Sequence, residues 1–329
     1  MRILLTRYAV GVGSGLAAAL LFLAAMRGAP LAVALAYLGP LPVMIAALGW
    51  GWDAGLIALF SAAGVAAAAT PAYAIAYIAL IVGPAWLIAA FTGAPIWTSR
   101  KVADAEQPPV RAYPGPGAIA LLAAALYIGA GAIQLSLMLL AKGGYEGAVA
   151  DLAGEIRDAL DASGATRALP PDMTADELAD AIVRFAPTAL SAGGLLLQLA
   201  NLYLAARSVQ LSQRLPRPWR DIPSGFILPR WLAAPTAAAI PIALVGPSPL
   251  DEYGLLAACA LGVLYAMQGL AVLHALSRRA AARPFMLAAL YFACAVAAQW
   301  VLPALAILGL AESFADLRAR AARNLKTRP

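Results

Sequence analysis

The sequence predicts an all-α fold, a polytopic transmembrane helical bundle of nine or ten spans with one helical hairpin inserted outside the bundle. Three observations predict it. The 329 residues are 63% hydrophobic and only 12% charged, with a mean hydropathy of +0.79. The charges fall in the gaps between apolar runs of about 20 residues, the length that crosses a bilayer as a helix. The runs lack the two-residue alternation of a membrane β-barrel, so helices are the spanning element.

Apolar runs at 5–26, 30–50, 54–70, 73–93, 117–141, 187–208, 232–247 and 254–276 each read as a span. The first, from Tyr8 to Met26, is long for the apolar core of a signal peptide, so it is expected to remain as a span. Within it, Gly11 and Gly15 form a small-xxx-small face suited to close helix packing. The second run is interrupted by Gly39-Pro40-Leu41-Pro42. One reading is a midplane break, whose freed backbone must face protein or a cavity. The other is a short 30–38 element followed by a new helix with Pro40 in its first turn. The last stretch, 285–317, is too long for one span at about 1.5 Å per residue. Pro303 favours two short helices with a tight turn near Gln299 to Pro303; one span running on into a cytoplasmic helix is the rival, which makes the count ten or nine.

Alternating ten spans from a cytoplasmic N-terminus puts 18 of the 23 basic residues inside. Arg27, Lys142, Arg157, Arg167 and Arg184 are left outside. That split satisfies the positive-inside rule and predicts a multi-pass protein of the bacterial inner membrane. The polar insertion 142–186 then faces the periplasm and carries nine acids against four bases. Val149, Leu152, Ile156 and Leu160 recur at helical spacing, and Pro170-Pro171 ends that helix. Thr174 with Glu177 has the capping-box pattern of a second helix with Leu178, Ile182 and Phe185 on its apolar face. The insertion reads as a solvated cap over the bundle or as a lid or docking surface.

Four parts follow: an N-terminal four-span half, 1–94; a Pro/Gly-rich cytoplasmic linker, 95–116; a C-terminal half, 117–317, which includes the insertion; and a basic cytoplasmic tail, 318–329. A second elbow, 214–236, holds Arg217, Trp219, Arg220, Arg230 and Trp231 among prolines. Trp and Arg are usual anchors at headgroup depth, which makes this set the candidate lipid or partner contact.

Catalytic chemistry finds no constellation. His274 is the only histidine and has no ligand companion at useful spacing, so neither a metal nor another cofactor is expected. Cys259 and Cys294 lie in apolar runs, where a thiol behaves as a small hydrophobe. The basic residues sit beside spans rather than in a stripe with aromatics, which argues against nucleic acid as a partner. No Asp, Glu, Lys or Arg falls near the middle of a span, against a carboxylate-driven ion pump. The buried polar residues are neutral: Gln134, Gln198, Asn201, Gln268 and Gln299. Gln198 and Asn201 share a helix face, and Gln134 is placed to approach Gln198. Such amides serve as interhelical glue, each pair contributing about 0.6 kcal/mol, or line a solute pocket. The candidate substrate-binding set is Gly39, Pro40, Pro42, Gln134, Gln198, Asn201 and Gln268, suited to a neutral or amphipathic ligand.

Several short segments together carry a family resemblance. They are Pro40-Leu41-Pro42 opening a helix, Gly49-Trp50-Gly51-Trp52-Asp53-Ala54-Gly55 at a turn, Gln268-Gly269-Leu270-Ala271-Val272 with His274, and Leu302-Pro303, Gly309-Leu310 and Glu312 to Arg320 near the end. This arrangement resembles the YybS-like family of bacterial inner-membrane proteins. That family looks like a distant relative of the S components of energy-coupling-factor vitamin transporters. The resemblance implies a non-enzymatic solute-binding or transport role, with an ATPase and coupling subunit as partners. The alternative is a structural or assembly factor of the envelope, acting through membrane lipids and envelope-assembly proteins.

Overall fold

Long apolar runs without a polar partner for their backbone can only close their hydrogen bonds locally, and the chain does so as helices. The computed structural model describes residues 2–26, 30–98, 101–102, 105–106, 110–170, 172–215 and 221–326. In order these form α1 (Arg2–Ala25), α2 (Pro30–Ala36), α3 (Pro40–Trp50), α4 (Trp52–Ala69), α5 (Pro71–Tyr77), a π turn at Ile78–Val82 and α6 (Gly83–Gly93). Next come α7 (Pro116–Leu140), α8 (Gly144–Ser163), α9 (Ala175–Leu211), the single turn α10 (Ile222–Gly225), α11 (Ala233–Val245) and α12 (Leu250–Leu276). The last three are α13 (Arg283–Val296), α14 (Ala298–Ala315) and α15 (Leu317–Lys326).

Among the described residues, seven helical segments are long and apolar enough to cross a membrane: Leu5–Ala25, Trp52–Ala69, Pro71–Gly93, Pro116–Leu140, Ala175–Leu211, Leu250–Arg279 and Ala298–Ala315. Three further apolar helices, Ala34–Trp50, Arg230–Val245 and Arg283–Val296, are shorter. At 14 residues, α13 is only about 21 Å long.

Two compact units divide the chain. The first holds Met1–Ala123, Leu196–Arg230 and Leu264–Pro329; the second holds Ala124–Leu195 and Trp231–Val263.

In the first unit, α1 and α4 meet through small side chains and turn large apolar ones outward. Ala54, Ala58, Ala62 and Ala66 recur every four residues on α4 and are wholly buried, while Leu5, Leu16 and Leu20 of α1 stand exposed. Small side chains inside and large apolar ones outside suit a helix surface whose solvent is lipid. Gly11 and Gly15 of α1 meet this alanine row. A Cβ at Gly11 would lie 2.8 Å from the Ala54 carbonyl, and one at Gly15 would strike the Ala58 carbonyl. Gly269 of α12 and Gly309 of α14 form a second close approach, each lying against the other helix's backbone.

The interruption in the second run is the start of a new helix. Tyr37–Gly39 turn, and α3 begins with Pro40 at its first position, where a missing N–H costs nothing. Proline shapes α5 and α6 as well. Pro84 cannot donate to the Leu80 carbonyl, and the ladder there widens to a π turn closed by Gly83 N–H on the Ile78 carbonyl.

In the second unit, α8 is amphipathic, as its spacing predicts, but its packed face is displaced. Tyr145, Ala148 and Val149 bury together with Leu135, Met138, Val183 and Leu256, and Ile156 is partly buried against them. Leu152, Ile182 and Phe185, expected inside, are exposed. The Thr174 capping box forms as expected. The Glu177 N–H donates to Thr174 Oγ1 at 3.2 Å, and Glu177 Oε2 accepts from the Thr174 N–H at 2.8 Å.

The helix that this box opens does not stop at 186. It continues through Pro187 to Leu211, so the second hairpin helix and the following span are one 37-residue element. Proline removes a single backbone bond, to the Val183 carbonyl, and the apolar residues beyond it keep the helical period.

Two more expectations change. The break in 285–317 lies at Ala297, the one residue between α13 and α14, and Pro303 lies inside α14. Only the bond to the Gln299 carbonyl is lost there, which an 18-residue helix absorbs. The 95–116 linker pairs with itself in two short antiparallel ladders, Ile96–Thr98 with Val110–Ala112 and Lys101–Val102 with Ala105–Glu106.

Candidate functional site

The neutral amides in the first unit each meet backbone. Pro40 and the turn before it take the Tyr37 carbonyl out of the helix ladder, because Leu41 N–H bonds Leu38 instead. Asn201 Nδ2 donates to that Tyr37 carbonyl at 2.9 Å and to its own helix at Leu197, also at 2.9 Å. Gln198 Nε2 donates to Ile81 in the π turn at 2.9 Å. The two residues therefore bond carbonyls at or beside the irregular turns. Gln268 is fully buried and bonded at both ends. Its Oε1 accepts from Leu228 N–H at 2.6 Å, while Nε2 donates to Gly309 O at 2.6 Å and Ser313 Oγ at 2.8 Å. Gly39 and Pro40 are buried, Pro42 is half-buried, and Gln134, half-buried on α7, belongs to the second unit.

The basic elbow is tied inward where it is described. Arg230 Nε donates to the Ser313 carbonyl at 2.8 Å, and its NH2 reaches Asp316 at 3.2 Å. Trp231 is exposed, while Arg217, Trp219 and Arg220 lie outside the described residues. Beside Arg230 lies a buried ion pair that the sequence reading did not single out. Arg318 Nε bonds Glu312 Oε1 at 2.6 Å, with the two side chains only 12% and 8% exposed. Its other nitrogens donate to the Pro223 and Phe226 carbonyls at 2.7 and 3.0 Å. Arg278 also bonds Asp221, whose carboxyl is held below the usual range by that guanidinium and by Ser224. The segment 221–230 is thus pinned by charge to the ends of α12 and α14.

A cavity of about 1020 Å³ in the first unit lies elsewhere. Its geometry starts from Gly51. This residue alone separates α3 from α4 and holds φ at 111°, a left-handed conformation that a side chain would strain. The turn sets Trp50 and Trp52 side by side at the cavity wall. Trp86 of α6 joins them by donating its indole N–H to the Trp52 carbonyl at 2.9 Å. Leu48, Leu87, Phe91 and Leu122 complete an apolar lining.

Two cations enter the same wall. Arg7 of α1 bonds Asp53, in the first turn of α4, through one nitrogen at 3.2 Å. Arg214, just past α9, lies over the Trp50 ring with its guanidinium carbon 4.6 Å from the centroid. The sequence reading noted the Gly49–Gly55 motif as a turn but assigned it no ligand; Arg7, Trp86 and Arg214 lie too far away in the chain to be grouped with it.

The second unit has its own polar cluster. Arg184 bridges Glu146 at 2.7 Å and Asp180 at 2.8 Å, and its guanidinium lies 5.7 Å from the Tyr145 ring centroid. The Tyr145 hydroxyl donates to Glu252 at 3.2 Å, and burial followed by that carboxylate pushes its pKa up to about 12. Arg184 in turn holds Glu146 below the usual carboxylate range. These groups face one another rather than a cavity.

Comparison with known protein families, characterised proteins and solved structures returned no match.

Proposed function

We propose that this chain is a multi-pass protein of the bacterial inner membrane, with its N-terminus in the cytoplasm, that binds a small amphipathic molecule in the tryptophan cavity and acts, without catalysis, in solute binding or transport. The observation that carries this reading is the cavity itself. Its volume matches the upper range of small-molecule sites, roughly 300–1,000 Å³, and its wall is apolar with a few polar groups at one place. The distribution of basic residues supports the orientation, which puts Arg7 and Arg214, and with them the cavity, on the cytoplasmic side. The short helices α3, α11 and α13 complete ten spans in this reading. Resemblance to the YybS-like family supports an ATPase and coupling subunit as partners.

Native mass spectrometry of the protein extracted in mild detergent tests the reading. The wild-type chain should retain a bound amphiphile. Ala90→Trp, which fills the cavity, should lose it at an unchanged melting temperature. Equal retention by both chains would reject the cavity as the binding site.

One observation favours the envelope-assembly reading. Asp151, Glu155, Asp158 and Asp161 are all exposed on α8, leaving an acidic face for a basic partner. Replacing all four by Asn should abolish partner capture in that case and leave amphiphile retention intact.

A further inference from the structure

The hydrogen-bonding capacity of the cavity wall is one-sided. Arg214 pairs with no carboxylate among the described residues, and its contact is the face of Trp50. Arg7 uses one nitrogen on Asp53, leaving the rest of its fork unengaged by that carboxylate. The Trp50 indole N–H is buried and finds no acceptor among the described residues. The lining itself contains two arginines and no Asp or Glu. Guanidinium groups stay charged at every physiological pH and match phosphate oxygens with paired N–H bonds.

These donors define what suits the cavity. A cation would be repelled by the Arg214 guanidinium, the Arg7 charge being offset by Asp53. A neutral amphiphile would accept N–H bonds through its oxygens but would bring no counter-charge to Arg214. A small water-borne anion would satisfy the arginines and leave Trp52, Trp86, Leu87 and Leu122 wet. A molecule with both an anionic head and an apolar tail meets every part of the wall.

We infer that the occupant of the tryptophan cavity is an anionic phospholipid of the surrounding membrane, its phosphate held by Arg214 and Arg7 and its chain lying against Trp52, Trp86 and Leu122. This rests on the binding role proposed above and adds the chemical class and source of the ligand. Within the 214–236 elbow it assigns phosphate recognition to Arg214 and not to Arg230, which is engaged with Ser313 and Asp316.

The test uses the full-length chain with Trp97, Trp219, Trp231 and Trp300 replaced by Phe, so that fluorescence reports only Trp50, Trp52 and Trp86. It is reconstituted in phosphatidylcholine vesicles containing brominated phosphatidylglycerol or brominated phosphatidylcholine as quencher. Phosphatidylglycerol should half-quench at a mole fraction about tenfold lower, because phosphatidylcholine offers the same phosphate beside a quaternary ammonium that the arginines repel. Arg214→Gln should erase the preference, and Arg214→Lys should keep part of it. Saturable quenching by both lipids at equal mole fractions would overturn the anionic assignment while leaving an amphiphile site standing. Absence of saturable quenching by either lipid would overturn the site as well. Relief of phosphatidylglycerol quenching by millimolar inorganic phosphate would identify a water-borne anion and overturn the lipid source. The wild-type comparison of the two lipids decides the matter even where a variant fails to fold.

Discussion

Gln268 and Arg214 both lie in the first unit and both carry donors on long side chains, yet their surroundings treat them differently. Gln268 is enclosed between α12, α14 and the segment before Arg230, and both ends of its amide find partners. Arg214 stands exposed at a cavity mouth with an aromatic face beneath it and no carboxylate of the described residues beside it. The contrast separates polar groups that hold helices together from polar groups left for something else. In a bundle with few polar side chains, interior amides are drawn to whatever backbone the prolines and turns have freed. An arginine without such a carbonyl or carboxylate is available to a ligand. If that division is right, damage to the first kind lowers stability, and damage to the second lowers binding alone.

The largest effect on stability should come from Arg318. Replacing it by Met leaves the Glu312 carboxylate buried and unpaired and frees the Pro223 and Phe226 carbonyls. Breaking a buried pair from one side costs about 3–5 kcal/mol, whereas an exposed pair is worth at most about 1 kcal/mol. Thermal unfolding in detergent should show the larger figure; a loss under about 1 kcal/mol would place the pair with the solvated ones. Gln268→Leu comes next. It strips the acceptor from Leu228 N–H and the donor from Gly309 O, for roughly 2–3 kcal/mol by the same measurement.

How much of this could be read from the chain follows from how far apart the determinants lie. The Thr174–Glu177 cap and the close-packed face of Gly11 and Gly15 depend on residues within a turn or two of one another, and each is legible; at Pro40 the sequence leaves a midplane break and a new helix start equally open, and the structure has the helix start. The packed face of α8 was shifted because Leu152 and Ile156 look equally apolar to a periodicity argument. Only the tertiary neighbours Leu135, Met138 and Leu256 add Tyr145 and Ala148 to the expected Val149 and leave Leu152 outside. Pro303 reads as a break, since a proline shows the bond it removes and not the neighbours that hold the helix straight. The neutral amides were recognised, but their partners Tyr37 and Ile81 are backbone groups, which carry no residue-type signal. Arg318 falls by sequence in the basic tail, 318–329, yet it is the most buried arginine of the ion pairs described. The cavity was least legible of all, being assembled from positions 7, 50, 52, 86 and 214.

A paired substitution sharpens the contrast where the effects become smaller. Asn201→Leu leaves the Tyr37 carbonyl without its side-chain donor and should cost about 1 kcal/mol, near the measured worth of amide contacts between membrane helices. Arg214→Gln should change stability by less than about 0.5 kcal/mol, as expected for a surface position. Amphiphile retention should reverse the order, falling for Arg214→Gln and holding for Asn201→Leu. If Asn201→Leu lost the ligand at full stability, the amides rather than the arginines would line the site.

The smallest effect concerns acid and the exposed polar groups of the second unit. Glu177 is held below the usual carboxylate range by its bonds to the Thr174 backbone and hydroxyl, and Glu146 by Arg184. A carboxyl whose folded pKa is depressed contributes stability above its unfolded value, about 4.3, and loses it as pH falls through the folded value. The start of α9 should therefore be unchanged from neutral pH down to about 4.3 and loosen only below it. Amide hydrogen exchange at 174–180, corrected for intrinsic rates, should show that step. Glu177→Gln keeps an acceptor for the Thr174 N–H but cannot titrate, so it should flatten the Glu177 part of the step without opening the helix at neutral pH. Across the same range Gln268 carries no proton to gain, and protection of the Leu228 amide should stay level. A matching acid step at Leu228 would mean that the buried amide cluster depends on a titrating neighbour, and the division between the two kinds of polar group would have to be redrawn.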